Sequence, residues 1–483
     1  MSQKVKKKRN EILTQRHLVI CLTSMMFWIG NLAYAGSYTG SAHGNSVNGV
    51  NRSTIDGKFS SYSVGNCSHC HEAHASIDGS EPEPSGGVAA GPDPALAFSE
   101  EEETCVTCHD GSPVLANIFT PSNKTYRHPM YDYSDKHTLS ILEDGLSGAP
   151  FRGINRHAEC VDCHNPHYIG YPGNVLHSYN AAAPANNNLV SNPLKGVWGV
   201  EPLTTPLWSP PTTFTEQNTI PTGSAKEYQI CYKCHSYYAL QDGDGVTTLI
   251  GPSGDYVTDQ AMEFSPGNKS AHPVQTTANN RTGASNPKAL ATVQMKSPWN
   301  VAANMGNQTM MCSDCHGNDA ASPQGPHGSD KKFMLKDYVG TGTKYYWPTR
   351  PDGRLWTLGD VNDNQNNWST QLFCVNCHPI KSGSSFFNSA HDDSHHYDNV
   401  TYQGYSYNGA PCVFCHMAVP HGSKRSRLIA YRSDVAPYDY ANTAAVIDGF
   451  KKTTRTNYDD TNCYFPDRSG CSDHSDNAGG YDP

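Results

Sequence analysis

Cys160-Val161-Asp162-Cys163-His164-Asn165-Pro166-His167 is the stretch that decides how the rest of the chain reads. Its first five residues are C-x-x-C-H, the spacing of covalent haem c attachment. Two cysteines three apart fall on one side of a helical turn, where both thiols reach the two vinyl groups of one porphyrin. The histidine that follows is then held beneath the ring, against its iron. His167, three residues further on, is a second imidazole available to a metal.

The pattern occurs seven times, and we number the motifs in chain order. They are Cys67, Cys70, His71; Cys105, Cys108, His109; Cys160, Cys163, His164; Cys231, Cys234, His235; Cys312, Cys315, His316; Cys374, Cys377, His378; and Cys412, Cys415, His416. Fourteen of the 17 cysteines lie in these motifs, leaving Cys21, Cys463 and Cys471. A lone C-x-x-C also suits a zinc ribbon or a redox dithiol. Zinc ribbons do not need the histidine in fifth place, and a disulfide framework does not need the fixed spacer. Seven repeats with the histidine point to seven covalently attached haems c, each carrying iron.

The second axial ligand separates electron transfer from catalysis. Outside the N-terminal leader and the seven motif positions, fifteen histidines remain. After motifs one, three, five and seven one follows closely: His74, His167, His327 and His421. After motifs two, four and six it comes later: His128, His272 and His391. These seven are the expected distal ligands. His167 sits too close to His164 to fold back onto the same iron, so it and His74 are expected to reach neighbouring haems. His43, His137, His157, His177, His395 and His396 are reserves, and His43 shares with His327 and His421 a following Gly and then Asn or Ser. His69 lies inside motif one and is a poor ligand. No methionine recurs at a fixed offset from the motifs.

Residues 1–35 read as a secretory signal: Lys4, Lys6, Lys7, Lys8, Arg9 and Arg16, then an apolar run from Leu18 to Ile29, then Ala33-Tyr34-Ala35. An uncleaved anchor is the alternative; no other segment is apolar enough to span a bilayer. The remaining chain, 36–483, reads as one body, with a polar tail over 456–483 that a Cys463–Cys471 disulfide would close; a reduced pair is the alternative. His474, Asp459, Asp460, Asp473 and Asp476 in that tail offer ligands for calcium, against a simply solvated tail. Without the leader the chain carries 29 basic and 44 acidic residues, a formal −15. That balance argues against nucleic acid and anionic lipid as partners.

Only 36% of residues are apolar, and Gly, Pro, Asn, Ser and Thr run throughout. No sustained helical or alternating period occurs. The expected fold is therefore mostly irregular coil with short helices and few strands, wrapped around a chain of seven haems that form its core. Motif starts lie 38, 55, 71, 81, 62 and 38 residues apart, which excludes a strict solenoid.

On the doubled form Cys160–His167, and on Arg127-His128-Pro129 and Ala271-His272-Pro273, the chain resembles the multihaem c-type cytochromes of metal-reducing bacteria. The resemblance implies bis-histidine, low-potential haems at close spacing, an extracellular or periplasmic place, and a part in dissimilatory metal reduction. Partners would be other redox proteins or extracellular acceptors such as metal oxides and cells. Some members polymerise head-to-tail into nanowire filaments. His43, near the mature N-terminus, is placed to serve a neighbouring copy. The competing function is a multihaem reductase acting on nitrite, hydroxylamine or a sulfur oxyanion through an iron with one open position. Such families often mark that iron with C-x-x-C-K, which does not occur here.

Overall fold

The computed structural model describes residues 38–54, 62–71, 101–111, 117–130, 157–170, 189–217, 226–240, 246–248, 256–277, 290–319, 325–336, 345–362, 371–380, 399–451 and 460–463. The leader, and the C-terminal tail apart from 460–463, lie outside that set.

Most of the described chain is turn and coil, as a composition rich in Gly, Pro and Asn dictates. Helices are one to two turns long: α1 Glu101–Val106, α2 Phe119–Ser122, α3 Cys160–Cys163, α4 Glu227–Cys231, α5 Tyr237–Leu240, α6 Gln260–Glu263, α7 Cys312–Cys315 and α8 Leu358–Asn362. None of the described helices is long and apolar enough to cross a membrane.

The strands are β1 Tyr126–Arg127, β2 Gly199–Pro202, β3 Phe214–Gln217, β4 Val246–Thr248, β5 Tyr256–Thr258, β6 Ser270–Ala271, β7 Gly328–Ser329, β8 Asn399–Tyr402, β9 Tyr405–Asn408, β10 Gly422–Ser423, β11 Ile447–Lys451 and β12 Asp460–Cys463. Among the described residues they form six separate antiparallel pairs. Four join neighbours in sequence: β2–β3, β4–β5, β8–β9 and β11–β12. Two are long-range. β1 meets β7 in the register Tyr126–Ser329 and Arg127–Gly328, and β6 meets β10 with Ala271 opposite Gly422.

Apolar side chains gather in clusters set against the motifs. One, around Trp356, Trp347, Leu355, Val413, Phe414 and Tyr431, has Cys374, Cys412 and Cys415 packed on it. A second, around Tyr228, Tyr232, Phe264, Trp299 and Met310, carries Cys312, Cys315 and Cys377. The aromatic stretch Tyr345-Tyr346-Trp347, outside the named helices and strands, belongs to the first cluster: Tyr345 and Trp347 are buried, and the Trp347 indole donates to the Ala418 carbonyl at 2.9 Å.

Candidate metal centres

All seven motifs fold as one turn. In each, the backbone N–H of the fifth-place histidine donates to the carbonyl of the first cysteine, at 2.8–3.0 Å, from His71 to Cys67 through His416 to Cys412. This is the i to i−4 bond of an α-helix, and it sets both thiols on one side with the imidazole below. Side chains within the turns start them. Asp162 accepts from the Glu159 N–H at 2.8 Å and Asp314 from the Met311 N–H at 2.7 Å, tying down donors a helix N-terminus leaves open. Gln229 does the same for Lys226 at the start of α4, which leads into motif four, at 2.7 Å.

Each of five motif imidazoles faces a second imidazole at nearly one distance. Ring centres are 6.0 Å apart for His71 and His167, 6.0 Å for His164 and His327, and 6.0 Å for His316 and His421. They are 6.1 Å apart for His235 and His128, and 6.2 Å for His109 and His43. Two imidazoles bonded at about 2 Å to opposite sides of one metal ion would set their ring centres roughly 6 Å apart. A sixth pair, His378 and His272, is close enough for the charge of one to act on the other.

The facing imidazole does not come from the nearest stretch of chain. His167 follows motif three and faces motif one, His327 follows motif five and faces motif three, and His421 follows motif seven and faces motif five. In the other direction, His128 follows motif two and faces motif four, and His272 follows motif four and neighbours motif six. His43 completes that series from before motif one. It faces His109 of its own chain, although its sequence position suits a ligand for another copy.

These imidazoles are delivered by a repeated clasp. In the β1–β7 pair the His128 N–H donates to the His327 carbonyl, and His128 Nδ1 lies 2.6 Å from the Pro326 carbonyl. In the β6–β10 pair His272 N–H donates to the His421 carbonyl, with His272 Nδ1 2.7 Å from the Pro420 carbonyl. His43 repeats the side-chain half, on the Pro166 carbonyl, beside an Ala42 N–H to Ile169 carbonyl bond of 2.7 Å. Each clasp thus presents imidazoles to two consecutive motifs: one and two, three and four, five and six.

The protonation and orientation of these rings suit iron. Motif imidazoles also spend Nδ1 on main-chain carbonyls: His164 on Pro193 at 2.9 Å, His316 on Phe333 at 2.7 Å, and His378 on Gln294 at 3.2 Å. With Nδ1–H donated, Nε2 is left as the lone-pair donor, the arrangement expected of a metal-bound histidine. Burial, helped by neighbouring imidazoles, lowers His43 and His316 to about 4 and His327 to about 3. His378, lowered to about 4, follows the same cause. These four rings are held neutral near pH 7, which is the ligating form. Among the described residues no group of three or more His, Cys, Asp or Glu converges on one point as a tetrahedral zinc site requires. Two facing imidazoles with a cysteine pair beside them fit a haem.

The motifs also lie in space in the order of the chain. The Cys70 thiol is near Cys108, Cys163 near Cys231, and Cys231 against Cys312. Cys315 is near Cys377, and Cys412 near Cys374. Motifs two and three meet where α1 packs on α3. Buried side chains fasten neighbours together. Lys233, inside motif four, donates to the Asp162 carbonyl of motif three at 2.6 Å and lies 4.4 Å from the Trp198 ring centre. Glu227 accepts from the Ser313 N–H of motif five at 2.8 Å and from its hydroxyl at 2.7 Å.

Sequence reasoning treats the two residues inside C-x-x-C as filler and misses Lys233 and Ser313. It also misses Glu263, whose side chain is fully buried and accepts from His421 Nδ1–H at 2.5 Å. Nothing in the chain around these residues marks them. His69 is buried, with Nε2 3.1 Å from the Ser63 carbonyl, a structural role. His157 is buried beside Glu159 at 3.8 Å. His421, the histidine that follows motif seven, is turned to His316 of motif five and not to His416. His74, His137, His177, His391, His395, His396, Cys471 and His474 lie outside the described residues, and with Cys471 so does the Cys463–Cys471 bridge. Comparison with known families, characterised proteins and solved structures finds no match to this chain.

Proposed function

We propose that this chain is a heptahaem c-type cytochrome that carries electrons along a row of covalently attached, bis-histidine haems outside the cytoplasm. The observation that carries the reading is the set of five imidazole pairs, each with a motif histidine on one side and ring centres 6.0–6.2 Å apart. Unrelated packing contacts would not repeat one distance with one member always in fifth place. Haem iron held between two imidazoles supplies one-electron chemistry with no change of ligand.

The chain's own part is to hold. The cysteines tether, the clasps fix both imidazoles, and the carbonyls on Nδ1 set their orientation. Chain-order packing of the motifs would string the haems in a row, so that electrons enter and leave at opposite ends. Where two imidazoles would hold one iron, the residues would leave no place for a substrate at the paired centres, which favours transfer over catalysis. The leader, the acidic balance and the family resemblance together favour an outer-surface or secreted protein, with redox proteins, metal oxides or cells as partners. Growth into filaments would require a head-to-tail interface that does not close.

Purified exported protein tests the reading. Mass and the pyridine haemochrome spectrum should give seven haems per chain, and carbon monoxide at neutral pH should leave the reduced spectrum unchanged. Fewer haems would break the counting. A shift in one haem of seven would instead favour the multihaem reductase. Electron microscopy of concentrated material separates filaments from particles.

A further inference from the structure

Most of the imidazole Nδ1 positions described above rest on neutral main-chain carbonyls. His421 differs. Its Nδ1–H donates to Glu263 Oε2 at 2.5 Å, and the Glu263 side chain has 0% exposure. Several features hold the carboxylate there. Asp259 caps α6 by accepting from the Met262 N–H at 2.9 Å, and the Asn268 amide donates to the Glu263 carbonyl at 2.7 Å. The Phe264 ring covers His421 with centres 4.7 Å apart. Gly422 gives the necessary closeness, since a Cβ there would lie 1.9 Å from the Glu263 carbonyl oxygen.

A fully buried carboxylate is costly to keep unless its partners offset the lost hydration. The β1–β7 clasp makes the same backbone bridge without it: Asn318, a neutral amide, there accepts from the His327 and Gly328 N–H groups at 2.9 and 3.1 Å. Two effects of the carboxylate act in one direction on a metal opposite His316. Pulling on Nδ1–H gives the ring imidazolate character and makes Nε2 a stronger donor. The negative charge, unscreened in a dry interior, favours the more positive oxidation state. Neighbouring groups feel the same charge: Tyr438 is raised well above an ordinary phenol, first by burial and then by Glu263.

Resting on the haem reading above, we propose that Glu263 is a positioning residue for His421. It lowers the reduction potential of the fifth haem, held by Cys312, Cys315, His316 and His421, below the value a carbonyl acceptor would give. When bound, that haem would be harder to reduce than its neighbours in the row, so electrons would pass across it and not remain there.

The test is Glu263→Gln in the haem-loaded protein, which keeps a hydrogen-bond acceptor and removes the charge. Spectroelectrochemical titration should show seven haems in both proteins, with one of seven components moved to higher potential. In the ferric electron paramagnetic resonance spectrum, one low-spin signal of stronger axial field should be present in the parent and lost in the variant. Seven haems with unchanged potentials and signals overturn the role of Glu263 while leaving the haem reading intact. A parent protein without haem overturns the haem reading itself. If the variant fails to accumulate, the parent spectrum decides: no signal of stronger axial field overturns the proposal.

Discussion

A single imidazole reports most sharply on how this chain is threaded. His167 is three residues from His164, yet its ring faces His71, 6.0 Å away, while His164 faces His327. If the proposed haem reading holds, replacing His167 with Ala should open the iron of motif one. One haem of seven should become reactive to carbon monoxide, and that reactivity should disappear when Cys67 and Cys70 are also replaced by Ser. Reactivity that survives the loss of motif one would place His167 elsewhere. The glycine after a clasp histidine is a second residue-scale demand. At Gly328 a Cβ would fall 2.0 Å from the Pro121 carbonyl oxygen, and at Gly422 1.9 Å from that of Glu263. Both obstacles are backbone and cannot rotate away. Gly422→Ala should cost about 1–3 kcal/mol, the usual range for overpacking, and is checked by thermal unfolding of the haem-loaded protein. The repeated His-Gly was visible in the sequence, but its reason, a carbonyl arriving from 159 residues away, was not.

At the scale of elements, the unit is the motif turn plus the clasp that crosses to it. The turn is local and cheap to specify: one i to i−4 bond, often with a capping side chain such as Asp162 or Asp314. The clasp is non-local, a two-residue strand pair such as β6–β10, far too short to stand alone in water. It persists because the chain on either side is anchored at motifs. Side chains at or just before the motifs tie successive turns together, as Glu227 of α4 does with Ser313 of α7. Glu227 is buried, so Glu227→Ala leaves the Ser313 N–H and hydroxyl without acceptors. A loss of about 1.5–3 kcal/mol is expected, the range for hydrogen bonds to a charged group, read as a lower unfolding midpoint in denaturant. The haem count should stay at seven, because no ligand or tether is touched.

Taken as a whole molecule, the chain is held by a few buried polar anchors as well as by apolar clusters. Arg425 and Asp434 form one of them: both are buried, the guanidinium donates to both carboxylate oxygens, and it lies on the Tyr431 ring with centres 3.4 Å apart. Burial alone would raise Asp434, but hydrogen bonds from Arg425 and the Tyr431 N–H prevail, and its carboxyl is held below the ordinary value. The folded form therefore binds this proton less readily than the unfolded chain does. The contribution of Asp434 is fully present above the unfolded carboxylate value, about 4, and is lost as pH falls through the lower folded value. Asp434→Asn should leave Arg425 buried without its counter-ion, cost about 3–5 kcal/mol near pH 7, and flatten the loss of stability on acidification. Unfolding midpoints measured from pH 7 down to pH 3 in both proteins check the slope.

Local chemistry was legible in the residues alone. C-x-x-C-H fixes a turn with two thiols and an imidazole because each needs only its neighbours within five residues, and low apolar content without periodicity fixes a mostly irregular chain. The sequence also supplied His128, His167, His272, His327 and His421 as imidazoles of the right kind. What it left open was which imidazole meets which motif, the row order of the motifs, the use of His43 within its own chain, and the carboxylate of Glu263 behind His421. Only the tertiary structure decided these. The clasps join segments up to 203 residues apart, and a side chain's partner across such a span depends on how every intervening loop is folded, which no local spacing encodes.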